Sequence, residues 1–185
     1  MAQEQGFIPI QGSIFKFLAD LFKKREIACI LVGGYALVAN KVQRMTFDID
    51  FIIGIEDLKK ILSDLALAGY FVAHEQAAFI QLKSNQPGLR DLDFLISDQR
   101  TIQLLISQSK TVTIAGEVFT IPNPVHLIEM KLHSIAGNKD REPKDLPDIQ
   151  QLIIANDLGM TSDLIKKLFE KYHLNELYQK IAGTA

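Results

Sequence analysis

Two carboxylates stand one residue apart in Thr46-Phe47-Asp48-Ile49-Asp50-Phe51-Ile52-Ile53, a run that alternates and then turns continuously apolar. Read as a strand, residues two apart share a face, so Asp48 and Asp50 lie side by side while Phe47, Ile49 and Phe51 enter the core. Like charges so placed repel, and partial burial makes the repulsion worse. A divalent cation removes that cost, and magnesium needs only one or two carboxylates beside substrate phosphates. A solvated edge bearing two surface acids is the plainer alternative.

A second acidic pair, Asp91-Leu92-Asp93, leads into Phe94-Leu95-Ile96 and reads as a further strand. Beside the first strand, one of its acids completes a three-carboxylate cluster. Such a cluster can hold two metal ions that clamp the attacking and leaving oxygens of an in-line displacement. Asp93 adjoins the apolar run and is the acid expected there; Asp91, on the same face, is the alternative. Gly33-Gly34 falls between the apolar run 28–32 and a short helix, 35–41. Glycines there can take positive φ and let a phosphate approach the main chain, where the helix start offers unpaired N–H groups. A tight turn with no ligand accounts for a lone glycine pair equally well.

The elements that must position these residues follow from periodicity. Ser13 caps a helix built on Ile14, Phe15, Phe17, Leu18, Leu21 and Phe22, closed by Lys23, Lys24 and Arg25. An amphipathic helix over 56–68 stops at Gly69; strands over 70–73 and 79–83 are joined by a turn near Glu75-Gln76. A helix over 99–107 and a hairpin around Ala115-Gly116 follow. Beyond Pro124 the pattern is helical, over 125–136, 145–156, 162–171 and 174–182. The expected fold is α+β: a small mixed β-sheet flanked by helices over 1–122, then a C-terminal helical bundle over 123–185.

Composition bounds the partners. Of 185 residues 48% are hydrophobic and 23% charged, enough for a core, and the net charge of −2 argues against a dedicated nucleic-acid coat. The single cysteine, Cys29, sits in an apolar run and reads as a small core residue. His74, His126, His133 and His173 lack paired spacing and cysteine partners, so a zinc site is not expected. Neither a signal peptide nor a run of about 20 apolar residues is present, and the expectation is a soluble, cytoplasmic protein without a membrane partner.

Together, Gly33-Gly34, Asp48 with Asp50, and Asp93 resemble the pattern of the nucleotidyltransferase superfamily, whose fold is that of the polymerase-beta palm. Arg44-x-Thr46-x-Asp48-Ile49-Asp50 is similar to the form common among bacterial members. Lys131, within Leu127-Ile128-Glu129-Met130-Lys131-Leu132, and the stretch Arg141 to Ile149 resemble later motifs of the AbiEii-like group, which includes toxins of toxin–antitoxin systems. The chain is short for such a toxin. The resemblance implies transfer of a nucleoside monophosphate from an NTP, with Mg2+ (two ions), to an RNA such as tRNA or to a protein, and an antitoxin as a further partner. A catalytically silent, partner-binding module of the same fold is the alternative.

On that resemblance Asp48, Asp50 and Asp93 are the metal ligands, and Asp93 also helps deprotonate the acceptor. Gly33, Gly34, Arg44 and Thr46 face the nucleotide, and Lys131 reaches the triphosphate as a point charge. Arg44 could instead pair with an acid. Lys144, Asp145 and Asp148 complete the nucleotide set, although acids at the start of helix 145–156 would also suit its dipole.

Overall fold

The computed structural model describes residue 10 and residues 12–183, which form two compact units. The first comprises the chain up to Tyr35 together with Met45–Ile121; the second comprises Ala36–Arg44 and Pro122–Ala185. The segment 36–44, expected with the first unit, thus belongs to the second.

In the first unit, α1 (Ile14–Lys24) starts where Ser13 Oγ accepts the Lys16 amide at 3.1 Å. It buries Ile14, Phe15, Leu18, Leu21 and Phe22. Next come β1 (Cys29–Leu31), α2 (Gly33–Ala39), β2 (Ile49–Ile53), α3 (Ile55–Leu67), β3 (Tyr70–Gln76), β4 (Phe79–Ser84) and β5 (Leu92–Ile96). Gly69, at φ +92°, turns the chain from α3 into β3. Glu75 and Gln76 lie inside β3; the turn falls two residues later, at Ala77-Ala78. α4 (Gln99–Ser107) is capped by Asp98, and β6 (Lys110–Ile114) pairs with β7 (Glu117–Ile121) as a separate hairpin.

The five-stranded sheet has the order β1-β2-β5-β4-β3. Only the β2–β5 pair is parallel among these neighbours; β1–β2, β4–β5 and β3–β4 are antiparallel. An aromatic core sits on one face. Phe51 stacks on Phe94 at 6.0 Å and meets Phe22 edge-on at 5.1 Å, and Phe119 lies 6.2 Å away. Each fully buried ring of this kind contributes about 1.5–3 kcal/mol of burial.

The second unit holds α5 (Pro124–Gly137), a 3-10 turn at Lys139–Arg141, α6 (Glu142–Ala155), α7 (Asp163–Lys171) and α8 (Asn175–Ala182). Asn123 caps α5 and Ser162 caps α7. Asn40 Nδ2 donates to the carbonyls of Ala36 and Pro122, and Asn156 Nδ2 donates to the Asn40 carbonyl, so the 36–44 segment is bound to these helices by polar contacts. α6 begins a turn earlier than its periodicity implies, because Pro143 is tolerated in a first helical turn. No helix among the described residues is long and apolar enough to cross a membrane.

Candidate active site

Strand register decides which acids meet. β2 and β5 run parallel with Ile49 opposite Leu92, Asp50 opposite Asp93 and Phe51 opposite Phe94. Adjacent strands lie about 4.8 Å apart, and side chains alternate between faces. The buried Phe51–Phe94 stack therefore commits Asp50 and Asp93 together to the opposite face. A one-residue slip would drive both acids into the aromatic core, so apolar packing enforces the acidic pairing.

Asp93 is half-buried, and burial pushes its carboxyl above the usual carboxylate range. Gln81 opposes this by donating from Nε2 to Oδ1 at 2.9 Å, while the negative charges of Asp48 and Asp91 add to the rise. Asp91 itself is engaged by Lys83 at 3.5 Å. Asp93, rather than Asp91, is the acid that faces Asp50 across the sheet.

Asp48 departs from its expected placement. β2 starts at Ile49, and residues 42–47 have no regular structure, so the alternation that would bury Phe47 does not extend that far. Phe47 is 70% exposed rather than in the core, and Met45 beside it is 79% exposed. The loop is nevertheless held. Arg90 Nη1 donates to the Thr46 carbonyl at 2.9 Å and to the Phe47 carbonyl at 3.3 Å, and Thr46 Oγ1 donates to the Asp48 carbonyl at 3.2 Å. Asp48 is exposed at the end of this loop, near enough for its charge to act on Asp93.

The glycine pair packs directly on these elements. A β-carbon on Gly33, which sits at φ +60°, would stand 1.9 Å from Oδ2 of Asp50; one on Gly34 would stand 2.3 Å from Oγ1 of Thr46. Only glycine allows both approaches. The Val32 amide also donates to the Asp50 carbonyl at 2.9 Å, which locks β1 and the turn to β2. Gly33, Gly34, Thr46, Asp50 and Asp93 are thus brought together within the first unit.

The remaining expected residues lie in the second unit. Lys131 Nζ donates to Asp145 at 2.8 Å and to Asp148 at 2.6 Å. Arg44 bonds to Asp148, and Arg141 Nε donates to Asp145 at 2.9 Å. Both acids are buried, Asp145 completely. Burial alone would raise the Asp145 carboxyl, but Lys131 and Arg141 outweigh it and hold the group below its ordinary range. These two acids therefore fix cations, which a helix-dipole role does not require. Lys144 is exposed.

Sequence patterns had not singled out Gln81 or Arg90, and had taken Arg141 only as the start of a motif stretch, with no partner. Their partners are an acid across the sheet, main-chain carbonyls more than forty positions away, and an acid one helical turn on. Only for Arg141 was a signal available, the i,i+4 spacing to Asp145.

Magnesium fits the Asp50–Asp93 pair by donor chemistry, since two carboxylates beside substrate phosphates suffice. The charge of Asp48 on Asp93 is what a cation would relieve. Among the described residues, however, no group of three or more His, Cys, Asp or Glu side chains is gathered closely enough to hold a metal ion as it stands. The full three-acid cluster would require the Asp48 side chain to turn toward Asp50 and Asp93 from its place at the end of the loop.

No protein-family model matches the chain, and no curated protein matches it. Solved structures do. The fold is that of the nucleotidyltransferases. An antigenic nucleotidyltransferase-like protein from Paracoccidioides brasiliensis aligns with TM-score 0.61 and 16% identity over 93% of this chain and 91% of that one. The antibiotic-resistance factor ANT(2'')-Ia aligns with TM-score 0.60 and 14% identity over 92% and 99%. The lincosamide antibiotic adenylyltransferase LnuA, in a lincomycin-bound structure, aligns with TM-score 0.53 and 18% identity over 74% and 92%. At such identities the likeness is one of fold.

Proposed function

We propose that this protein is a metal-dependent nucleotidyltransferase that moves a nucleoside monophosphate from an NTP to an acceptor hydroxyl. The observation that carries the reading is Asp50 opposite Asp93 in parallel register, with the main chain of Gly33 pressed against the Asp50 carboxylate. Asp50 and Asp93, joined by Asp48, hold Mg2+, and a bound divalent cation supplies charge neutralisation for a triphosphate. Gly34 is buried against Thr46, and the partly exposed main chain of Gly33, beside the Asp50 carboxylate, is the part of the pair left for the phosphates.

Asp93 takes the proton of the acceptor hydroxyl. The acceptor oxygen then bonds to the α-phosphorus, and the bond to pyrophosphate breaks. Asp145 and Asp148 serve by fixing Lys131 and Arg44 rather than by touching the substrate.

The motif resemblance favours RNA, such as tRNA, or a protein as acceptor, with a toxin–antitoxin role and an antitoxin partner. A second reading, a small-molecule acceptor, is favoured by the near full-length alignment with the antibiotic-resistance factor and the alignment over 74% of this chain with the lincosamide adenylyltransferase. The test is incubation with each α-labelled NTP and Mg2+, in turn with total cellular RNA, a protein lysate and an aminoglycoside or lincosamide panel. Label on one acceptor class, lost in Asp50→Asn, supports transfer and names the class. Label on none of them, from protein that binds a partner, would favour the silent module.

A further inference from the structure

Asp48 is the one expected metal ligand that no strand carries, so something else must set its position. In the loop before it, Arg90 binds the main chain from outside, alongside the Thr46 hydroxyl on the Asp48 carbonyl and the Arg44–Asp148 ion pair. Arg90 Nη1 reaches both the Thr46 and Phe47 carbonyls, the two peptide units immediately ahead of Asp48. Its guanidinium lies over the Tyr35 ring, 5.8 Å from the centroid, next to the glycine turn. Its own carbonyl accepts a 2.9 Å bond from the hydroxyl of Tyr70, a residue 4% exposed, so the base of the arginine is anchored as well as its tip. The same residue begins the approach to Asp91 and Asp93 on β5. Arg90 therefore links the Thr46–Phe47 stretch to Tyr35, the residue after the glycine pair, and stands two residues before β5.

Building on the metal-dependent reading above, we infer that Arg90 is a positioning residue that sets Asp48 for the cation held by Asp50 and Asp93. It touches neither metal nor substrate. Its Nη1 alone holds two successive carbonyls, which fixes the direction in which the chain enters Asp48. A planar guanidinium can do this while lying on Tyr35; a lysine ammonium can replace the donors but not the stacked plane. Without this brace, residues 42–47 have no ladder of their own and Asp48 loses its fixed approach. Outer-shell partners of this kind are commonly worth about 10–100-fold in metal affinity.

The experiment is Mn2+ titration followed by electron paramagnetic resonance, without nucleotide or acceptor, on the wild-type chain, Asp50→Asn, Asp48→Asn, Arg90→Met, Arg90→Lys and the double variant Asp48→Asn/Arg90→Met. Thermal melts of each provide the folding control. Arg90→Met is expected to weaken Mn2+ binding about tenfold or more. Arg90→Lys should fall between it and wild type. In the Asp48→Asn background, Arg90→Met should add nothing, because a residue acting through Asp48 has nothing left to position. Unchanged affinity in Arg90→Met, or a loss that adds fully to that of Asp48→Asn, would overturn the inference. If Arg90→Met does not fold, the decision passes to Arg90→Lys, tested alone and over Asp48→Asn by the same criterion. Wild-type chain that binds no Mn2+, or binds it equally well as Asp50→Asn, would overturn the metal-dependent reading itself and this inference with it.

Discussion

Gln81 on β4 donates to Asp93 on β5, and this one bond competes with burial for the charge of the acid opposite Asp50. Its removal, in Gln81→Leu, leaves the upward pressures of burial and of the Asp48 and Asp91 charges without their main counterweight. Asp93 then keeps its proton to higher pH. In the metal-free chain the titration of Asp93, followed by carboxyl-carbon NMR, is expected to move toward alkaline pH. A titration that stays in place would show that Gln81 does not hold the charge of Asp93.

Asp93→Asn separates stability from activity. A carboxyl whose folded-state pKa is raised binds its proton more tightly when folded, so ionisation at neutral pH weakens the fold. Neutralising the residue should raise Tm by a few degrees, the response of a chain of this size to about 1 kcal/mol. Transfer should fall by about 10²–10⁴ with loss of the base and metal ligand. The gain in Tm should shrink as pH falls through the raised pKa and vanish below the unfolded value of about 3.9, where Asp93 is neutral in both states. Differential scanning calorimetry across pH 3–8 checks the sign.

How much of this was legible beforehand depended on how local each interaction is. Asp50, Asp93 and the glycine pair were found because strand alternation and glycine's conformational range are written into short stretches. Phe47 was misplaced for the same reason: the alternation Thr46-Phe47-Asp48-Ile49 looks like strand, yet a distant arginine, binding its carbonyls, holds that stretch as loop. The bonds from Lys131 to Asp145 and Asp148 span 14 and 17 positions, and only the packed helices reveal them. No periodicity encodes which face of one helix meets which face of the next.

Gly33→Ala tests the close approach at the turn. The new β-carbon would overlap Asp50 Oδ2 and would also hold an L-residue at φ +60°. Gly88, at φ +86° with nothing within 4 Å, is the control, because alanine there meets the backbone cost of about 1–2 kcal/mol without the clash. Gly33→Ala is expected to lower Tm more than Gly88→Ala and to abolish transfer, while Gly88→Ala retains it. Equal losses of stability would show that Asp50 and the turn are not in contact.

Lys131→Met should leave Asp145 and Asp148 with too little compensating charge. Removing one partner from a buried ion pair costs about 3–5 kcal/mol, and Asp145 has no exposed side-chain surface. Urea denaturation should show a midpoint lowered accordingly. Lys131→Met with Asp145→Asn should recover part of the loss; no recovery would mean that the burial of charge is not the cause.

The acid side of the stability curve carries the signature of Asp145. Its folded-state pKa is depressed, because Lys131 and Arg141 outweigh burial, so its contribution is present above the unfolded value of about 3.9 and is lost as pH falls below it. Between pH 5 and 2 the wild-type chain should lose stability more steeply than Asp145→Asn, as read by chemical denaturation at each pH. Parallel slopes would assign the acid sensitivity elsewhere.

In the strand order β1-β2-β5-β4-β3 the last of the five strands along the chain fills the middle of the sheet. A ribosome that has released only the first four strands has therefore emitted Asp48 and Asp50 but not their counterpart. The gap closes through the nearby β4 on one side and, on the other, through contacts with the distant β2, the kind that form slowly. Ion capture would consequently mark a finished sheet, and nascent or truncated chains ending before Leu92 would be spared premature chemistry.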